Sequence, residues 1–335
     1  MSIKLKILKT ASRFNQAQRL MSMYEFLVGE TPWSSRLEVD EELREFQLEE
    51  EERMGYVLLP LIPAYHSLRL RFGVLGHAFR TNGYEPIILR DDGDLPARPE
   101  NTIEDEGDWL KTEMYQRKAK KYPEKFGVES VSIGGVLGDK YTIPETDLGT
   151  EELRSYTRHG VDISGCVAAS TKKYLMKYTL DLSDPEVRNV YESFLHSGIM
   201  LADATQKMID KYDLKAAIVN EVSYIQGRIP LKLCHESGLL AYSQGSGHQQ
   251  SELKFGRAVN RNPMGQFGNQ GLTSRAVRTK LTEQQKERIN ELMSKREIGE
   301  HNQYIPDSNS SVDVSEDQMV GVFSHLLWDG ALEPE

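Results

Sequence analysis

The chain has 335 residues, of which 39% are hydrophobic and 27% are charged, and its formal net charge is −10 at pH 7. This length allows one large domain or two smaller ones. The acidic balance argues against a nucleic-acid-binding protein, which needs a basic face.

The 2 cysteines, Cys166 and Cys234, are too few for a zinc framework or a disulfide scaffold. Residues 1–24 lack the apolar core of a signal peptide, and no apolar run reaches about 20 residues. We therefore expect a cytoplasmic protein with two reduced, buried thiols.

Residues 1–54 are predicted to precede the main domain. Residues 1–24 contain five basic residues and no acid, and their apolar residues recur at helical spacing, which predicts a basic amphipathic helix. Such a helix either docks on an anionic membrane surface, giving a peripheral location on the inner face of the cell membrane, or packs on the protein's own body. Residues 38–53 carry nine acids against Arg44 and Arg53, which is typical of a solvated helix or linker.

Two strand–helix–strand units define the predicted fold. In the first, an apolar strand over 56–61 leads to a helical pattern over 66–81 and a second strand over 86–89. A continuous apolar strand, rather than an alternating one, indicates a parallel sheet that helices cover on both faces. The second unit has a strand over 216–220, a helix over 227–236 and a strand over 239–243. The predicted fold class is therefore α/β, a Rossmann-like parallel sheet with helices on both faces.

The remaining segments give weaker patterns. Between the two units we predict a helix near 104–121, a loop or β-hairpin at Gly134, Gly135 and Gly138, and helices over 166–178 and 183–212. The last of these begins with a capping box formed by Ser183 and Glu186. After the second unit, residues 256–275 are predicted to be irregular and residues 282–295 to form a charged helix. The predicted domain organisation is a main domain over 55–298, a linker over 299–317 and, over 318–335, the first strand of an incomplete second domain.

The candidate site lies in the loops that follow the parallel strands, because ligands of such sheets bind at the carboxyl ends of the strands. These loops carry imidazole, amide and hydroxyl groups, which suit hydrogen bonding to a polyhydroxylated ligand such as a sugar. The candidate residues for binding the acceptor or sugar are His66, Asn220, Tyr224, Gln244 and Ser246.

Three residues are candidates for a general base that removes a proton from an acceptor hydroxyl: Glu221, His77 and His248. Each also fits a structural role, Glu221 as the ion-pair partner of Arg228 and the two histidines as hydrogen-bond partners of nearby loops. The histidines show no metal-ligand spacing, and the sequence has no Walker loop, GxSxG elbow or dinucleotide fingerprint. We therefore predict no bound metal and no cofactor.

Three stretches carry a resemblance to a known family: "GHAFRTNGYEPIIL", "DLKAAIVNEVSYIQGRIPLKLCHESGLLAYSQGSG" and "VGVFSHLLWDGAL". The chain resembles the N-terminal half of two-domain GT-B glycosyltransferases of the capsule and surface-polysaccharide biosynthesis type. The resemblance implies transfer of a sugar from a nucleotide-sugar substrate to a surface polysaccharide, glycan or lipid-linked acceptor. It also implies that the terminal strand opens a truncated nucleotide-sugar domain, so that the chain alone is inactive. The donor-side residues in this terminal segment are then His325, Trp328 and Asp329.

Two alternatives stay open from the sequence. The second strand–helix–strand unit also resembles that of nucleotide-sugar epimerases, so the chain is alternatively an epimerase-like or sugar-binding protein. A non-catalytic partner protein, held at the membrane by residues 1–24, is the other alternative.

Overall fold

A computed structural model of the chain describes residues 48–62, 66–98, 126–144, 148–220, 222–246 and 253–258, with Thr282, Glu283, Lys286 and Glu287. A 3-10 turn at Glu50–Glu52 precedes the first strand. The strands are β1 (Gly55–Leu61), β2 (Tyr84–Arg90), β3 (Glu129–Ser132), β4 (Thr157–Arg158), β5 (Val161–Asp162), β6 (Leu214–Val219), β7 (Leu240–Ser246) and β8 (Leu253–Arg257). The helices are α1 (His66–Arg80), α2 (Ile133–Leu137), α3 (Thr150–Arg154), α4 (Ser164–Leu175), α5 (Pro185–Lys211) and α6 (Ile225–Glu236).

All these elements lie in one compact unit. The four described residues between positions 282 and 287 belong to a second unit, residues 269–325. There, Lys286 Nζ lies 2.6 Å from Glu283 Oε1 in an exposed ion pair.

Six strands form the main sheet, in the order β3-β2-β1-β6-β7-β8. The first five are parallel, and β8 runs antiparallel to β7. Leu58 of β1 is paired with Ile87 of β2 on one side and with Ala217 of β6 on the other. The chain therefore builds the sheet outward from β1 to β3 and then crosses back to place β6 on the other side of β1. This reversal is a topological switch point, and it lies between β1 and β6.

Helices cover both faces of the sheet, as the sequence predicted. Alternate residues of β1 point to opposite faces, so Leu58 packs in a core with α4, α5 and α6. Val57 and Leu59 pack instead with Leu68 and Phe72 of α1. The α/β class and the mostly parallel, helix-flanked sheet are thus confirmed, and the fold is compatible with a Rossmann-like architecture.

Two local predictions were wrong. Gly134 and Gly135 lie in the short helix α2, not in a loop or hairpin, because Ser132 caps the helix and Ile133 and Leu137 pack into the core. Gly138, at φ +84°, ends it. The cap of α5 is Asp184, whose side chain accepts from the N–H of Glu186, and not Ser183.

The end of the sheet also differs from the prediction. Strand β7 continues to Ser246, beyond the predicted end at 243, and β8 pairs with it although residues from 256 onward were expected to be irregular. Ser243 pairs with Gly256 in this antiparallel register.

Several predicted segments lie outside the described residues. They are the basic helix over 1–24, the helix near 104–121, the linker over 299–317 and the strand within 318–335. The domain boundaries therefore stay predictions. In the part of the chain that is described, no helix combines the length and apolar character needed to cross a bilayer.

Candidate functional site

An amide pair occupies the carboxyl ends of β6 and β7. Asn220 follows the last residue of β6, and Gln244 lies one position beyond the paired residues Val219 and Ser243. Gln244 Nε2 donates to Asn220 Oδ1 at 2.8 Å. Gln244 is completely buried, and no group among the described residues donates a hydrogen bond to its Oε1. The structure thus brings together two of the predicted sugar-binding residues.

The strand pleat sets the face on which this pair lies. Asn220 and Gln244 each follow, by two residues, a residue that packs in the α1-side core, Ile218 and Tyr242 respectively. Side chains two apart on a strand share a face, so the amide pair is on the α1 side of the sheet. Helix α1 begins at this same edge because it returns antiparallel between the parallel strands β1 and β2. The pair therefore lies next to the switch point between β1 and β6.

Helix α6 also starts at this edge, on the opposite face. Its N-cap, Tyr224, is buried and provides no side-chain cap. The missing cap comes from α4, where Ser170 Oγ accepts from the N–H of Ile225 at 3.2 Å. From the same helix, Lys173 places its Nζ 4.5 Å from the centroid of the Tyr224 ring. Tyr224 is thus at the edge that the sequence predicted, and the Lys173 ammonium lies over the face of its ring.

Two further polar residues are buried in the first turn of α6. Gln226 is 5% exposed, and its Oε1 has no hydrogen-bond partner in the part of the chain that the structure describes. Arg228 is 8% exposed. Neither was predicted as a site residue. Glu221, the predicted partner of Arg228, lies outside the described residues, so that ion pair stays a prediction.

The other predicted residues are distributed as follows. His66 opens α1 at the carboxyl edge, and Ser246 is the last residue of β7. His77 lies in the last turn of α1, eleven residues and about 16 Å along the helix axis from His66, and is therefore at the opposite edge. The structure does not bring His77 together with the amide pair. Outside the described residues are Glu221, His248, His325, Trp328 and Asp329.

A second polar cluster surrounds Asp203, in the middle of α5. Arg158 donates from Nε to Oδ1 at 2.6 Å and from Nη2 to Oδ2 at 2.7 Å. The Tyr141 hydroxyl donates to Oδ2 at 2.7 Å, and His159 Nε2 lies 2.7 Å from Oδ1, so that nitrogen carries a proton. Sequence reasoning missed this cluster. Its one signal was an acid in the otherwise apolar stretch "GIMLADA".

Electrostatics in this cluster follow from its hydrogen bonds. Burial alone raises the pKa of Asp203, but the bonds from Arg158, Tyr141 and His159 outweigh it and hold that pKa below its usual range. Burial, with the bond to Asp203, raises the pKa of Tyr141 well above its usual value. The bond to Asp203 also raises the pKa of Arg158. The carboxylate and guanidinium are therefore fixed in their charged forms and the phenol in its neutral form, which suits a structural anchor rather than proton transfer.

A third polar group follows β2. Asp91 is completely buried, and its Oδ1 accepts from the N–H groups of Gly93, Asp94 and Leu95 at 2.9, 2.8 and 3.3 Å. Its Oδ2 accepts from Arg98 Nε at 2.6 Å. This carboxylate shapes the loop at the carboxyl end of β2, and its acceptor sites are occupied by the protein itself.

Comparison of the chain with protein-family models, with curated proteins and with solved structures found no match. Among the described residues, no three His, Cys, Asp or Glu side chains gather in an arrangement that would hold a metal ion. The candidate site is therefore defined by its own geometry, an amide pair beside the switch point and the start of α6 across the sheet.

Proposed function

We propose that this chain binds a sugar at the carboxyl edge of its sheet and takes part in glycosyl transfer from a nucleotide-sugar donor to a glycan or lipid-linked acceptor. The observation that carries the proposal is the Asn220–Gln244 pair. A buried amide oxygen without a donor costs about 1–3 kcal/mol. A ligand hydroxyl that donates to Gln244 Oε1 removes this cost.

The chemistry of the pair favours a neutral, hydroxyl-rich ligand. Amides both donate to and accept from hydroxyl groups, and they do so without a charge that would require a counter-ion. The position supports the same class of ligand, because ligands of open α/β sheets bind in the crevice at the switch point. A sugar satisfies both conditions.

In the proposed reaction, an acceptor hydroxyl attacks the anomeric carbon of the donor sugar. The bond from that carbon to the diphosphate oxygen breaks, and the nucleotide diphosphate leaves with the electron pair. A general base takes the proton of the acceptor hydroxyl. Glu221 and His248 are the candidates, because they follow the carboxyl ends of β6 and β7 in the sequence. His77 has no part in this scheme.

Calorimetric titration of the full chain with neutral monosaccharides and nucleotide sugars tests the binding step. We expect Gln244→Ala to weaken sugar binding roughly tenfold, the value of one to two lost hydrogen bonds. Gln206→Ala is the matched control, since the Gln206 amide donates to Asp210 Oδ1 on the surface of α5. Equal sugar affinity of the two variants, or no sugar binding by the unaltered chain, would contradict the proposal.

Nucleotide-sugar turnover tests the reaction itself. Release of nucleotide diphosphate that depends on an acceptor glycan supports glycosyl transfer. Conversion of the donor sugar without an acceptor favours the epimerase-like alternative.

A further inference from the structure

An exposed aromatic ring lies beside the amide pair. Phe255 of β8 is the direct antiparallel partner of Gln244 of β7. Side chains of directly paired residues project to the same face of a sheet, with their Cβ atoms about 4.5–5.5 Å apart. The Phe255 ring is therefore on the α1 side of the sheet, one strand away from the Gln244 amide.

This part of the α1-side face is more exposed than the centre of the sheet. Phe255 is 46% exposed, and Leu240, which shares the face with Gln244 on β7, is 42% exposed. On the same face, Leu59 of β1 and Ile88 of β2 are completely buried, because they pack in the core that includes residues of α1. Strands β7 and β8 lie two and three positions from β1 in the sheet order, beyond the strands on which α1 packs.

Gln244 provides the independent observation that points to a ligand beside this ring. Its side chain is completely buried, and no described group donates to its Oε1. Asn220, which accepts from Gln244 Nε2, is only partly buried. The amide pair therefore meets solvent at the end of β6, on the face that carries the exposed ring.

An aromatic ring next to amide groups matches the two kinds of surface on a sugar. A pyranose has hydroxyl groups around its rim and C–H groups on its ring faces. The face of an aromatic ring has negative charge density, which attracts the weakly positive C–H groups, and the amides hydrogen-bond the hydroxyl groups. Small-molecule sites in proteins combine aromatic surface with a few placed polar groups in this way.

We infer that Phe255 stacks on the C–H face of a pyranose whose hydroxyl group binds to the Asn220–Gln244 pair. The inference rests on the proposed function and deepens it, because it adds a residue that recognises the ring of the sugar rather than its hydroxyl groups. Phe255 is then a binding residue that touches the substrate, and the edge strand β8 forms one wall of the site.

Calorimetric titration of the full chain with the methyl β-glycosides of glucose and galactose tests the inference. We expect Phe255→Ala to weaken binding about tenfold, the value of one aromatic contact. Tyr178→Ala is the matched control, because Tyr178 is also an exposed aromatic residue, at 53%, and follows α4 on the opposite face. We expect this control to bind as the unaltered chain does. Equal affinities of the Phe255→Ala and Tyr178→Ala variants would overturn the inference.

Two further variants separate stacking from general apolar contact. Phe255→Trp keeps an aromatic face and should bind the glycosides at least as tightly as the unaltered chain, whereas Phe255→Leu keeps only apolar volume and should bind severalfold more weakly. Thermal unfolding identifies a variant that fails to fold. If Phe255→Ala does not fold, Phe255→Leu decides, and unchanged affinity in a folded Phe255→Leu variant contradicts the inference.

Proton NMR of the bound glycoside gives a readout that a purely structural role of Phe255 would not change. Protons held over an aromatic face shift upfield, so we expect this shift for the sugar C–H protons in the unaltered chain and its loss in Phe255→Leu. The results also show which proposal fails. If Gln244→Ala weakens binding and Phe255→Ala does not, the stacking inference is wrong and the proposed sugar site stays. If neither glycoside binds the unaltered chain, both proposals are wrong.

Discussion

Arg158 and Asp203 are joined by two parallel hydrogen bonds that connect residues 45 positions apart in the chain. The arginine ends β4, and the turn after it contains His159 at φ +51° and Gly160 at φ +77°. Left-handed residues at both central positions are typical of a tight two-residue hairpin. One carboxylate on α5 thereby anchors the hairpin, its turn residue His159 and the side chain of Tyr141.

Replacing Asp203 should therefore destabilise the fold more than replacing other acids on the same helix. We expect Asp203→Asn to lower the free energy of unfolding by about 1–3 kcal/mol, because it removes the charge that accepts hydrogen bonds from Arg158, Tyr141 and His159 at a buried position. Asp210→Asn, on the exposed end of α5, is the control and should change it by less than about 0.5 kcal/mol. Urea denaturation measures both. Equal effects would show that the carboxylate anchors nothing.

The same carboxylate should contribute to acid unfolding. Hydrogen bonds hold the pKa of Asp203 below its usual value near 3.8 in the folded state. The folded state therefore binds this proton less readily than the unfolded chain does, and the stabilisation is present above that value. It is lost as the pH falls below about 4, through the lower folded pKa. The stability difference between the unaltered chain and Asp203→Asn should shrink as the pH falls below about 4. A difference that stays constant into the acid range would contradict this linkage.

A glycine in α1 permits the close approach of an aromatic ring. A Cβ placed on Gly73 would lie 2.3 Å from two ring carbons of Phe126, a residue only 5% exposed. Glycine to alanine in a helix interior normally stabilises by roughly 1 kcal/mol. Here we expect Gly73→Ala to destabilise by about 1–3 kcal/mol because the buried ring cannot move away freely.

The paired substitution separates the clash from the helix propensity. In a Phe126→Ala background, Gly73→Ala should become neutral or stabilising, since the ring it meets is gone. Thermal unfolding of the four combinations gives the coupling energy. Additive effects in the two backgrounds would rule out the clash as the cause.

The sheet was predictable where local patterns and burial agree. The strand β1 is a continuous apolar run, α1 has one apolar face, and Gly83 at φ +83° ends the turn after it, so this unit was predicted within two or three residues at each end. Helix α2 was missed because two glycines argue against a helix, while the Ser132 cap and the burial of Ile133 and Leu137 favour it. Strand β8 was missed because its pairing is a tertiary contact.

The candidate site was predictable only in part, for a related reason. Asn220 and Gln244 follow strands that the sequence shows, and the rule for parallel sheets places strand ends together. Lys173, Gln226 and Asp203 lie within helices, where the sequence gives helical spacing but not the neighbouring helix. Their contacts arise from the packing of α4 against α6 and of the hairpin against α5.

Removing only the positive charge of the buried Asp91–Arg98 pair should destabilise the fold more than removing both charges. Asp91 is completely buried, and the Arg98 side chain is 4% exposed. Arg98→Met leaves a buried carboxylate without its cation, and we expect a loss of about 3–5 kcal/mol in the free energy of unfolding. Adding Asp91→Asn to that variant should recover about 1–2 kcal/mol, because the asparagine oxygen still accepts from the loop N–H groups without a charge.

Arg154→Met is the control, since Arg154 is exposed and lies 3.8 Å from Glu151, and its effect on the free energy of unfolding should be below about 0.5 kcal/mol. Urea denaturation of Asp91→Asn, of Arg98→Met and of the double variant gives the coupling energy, and a double variant no more stable than Arg98→Met would show that the arginine does not act by compensating the charge of Asp91.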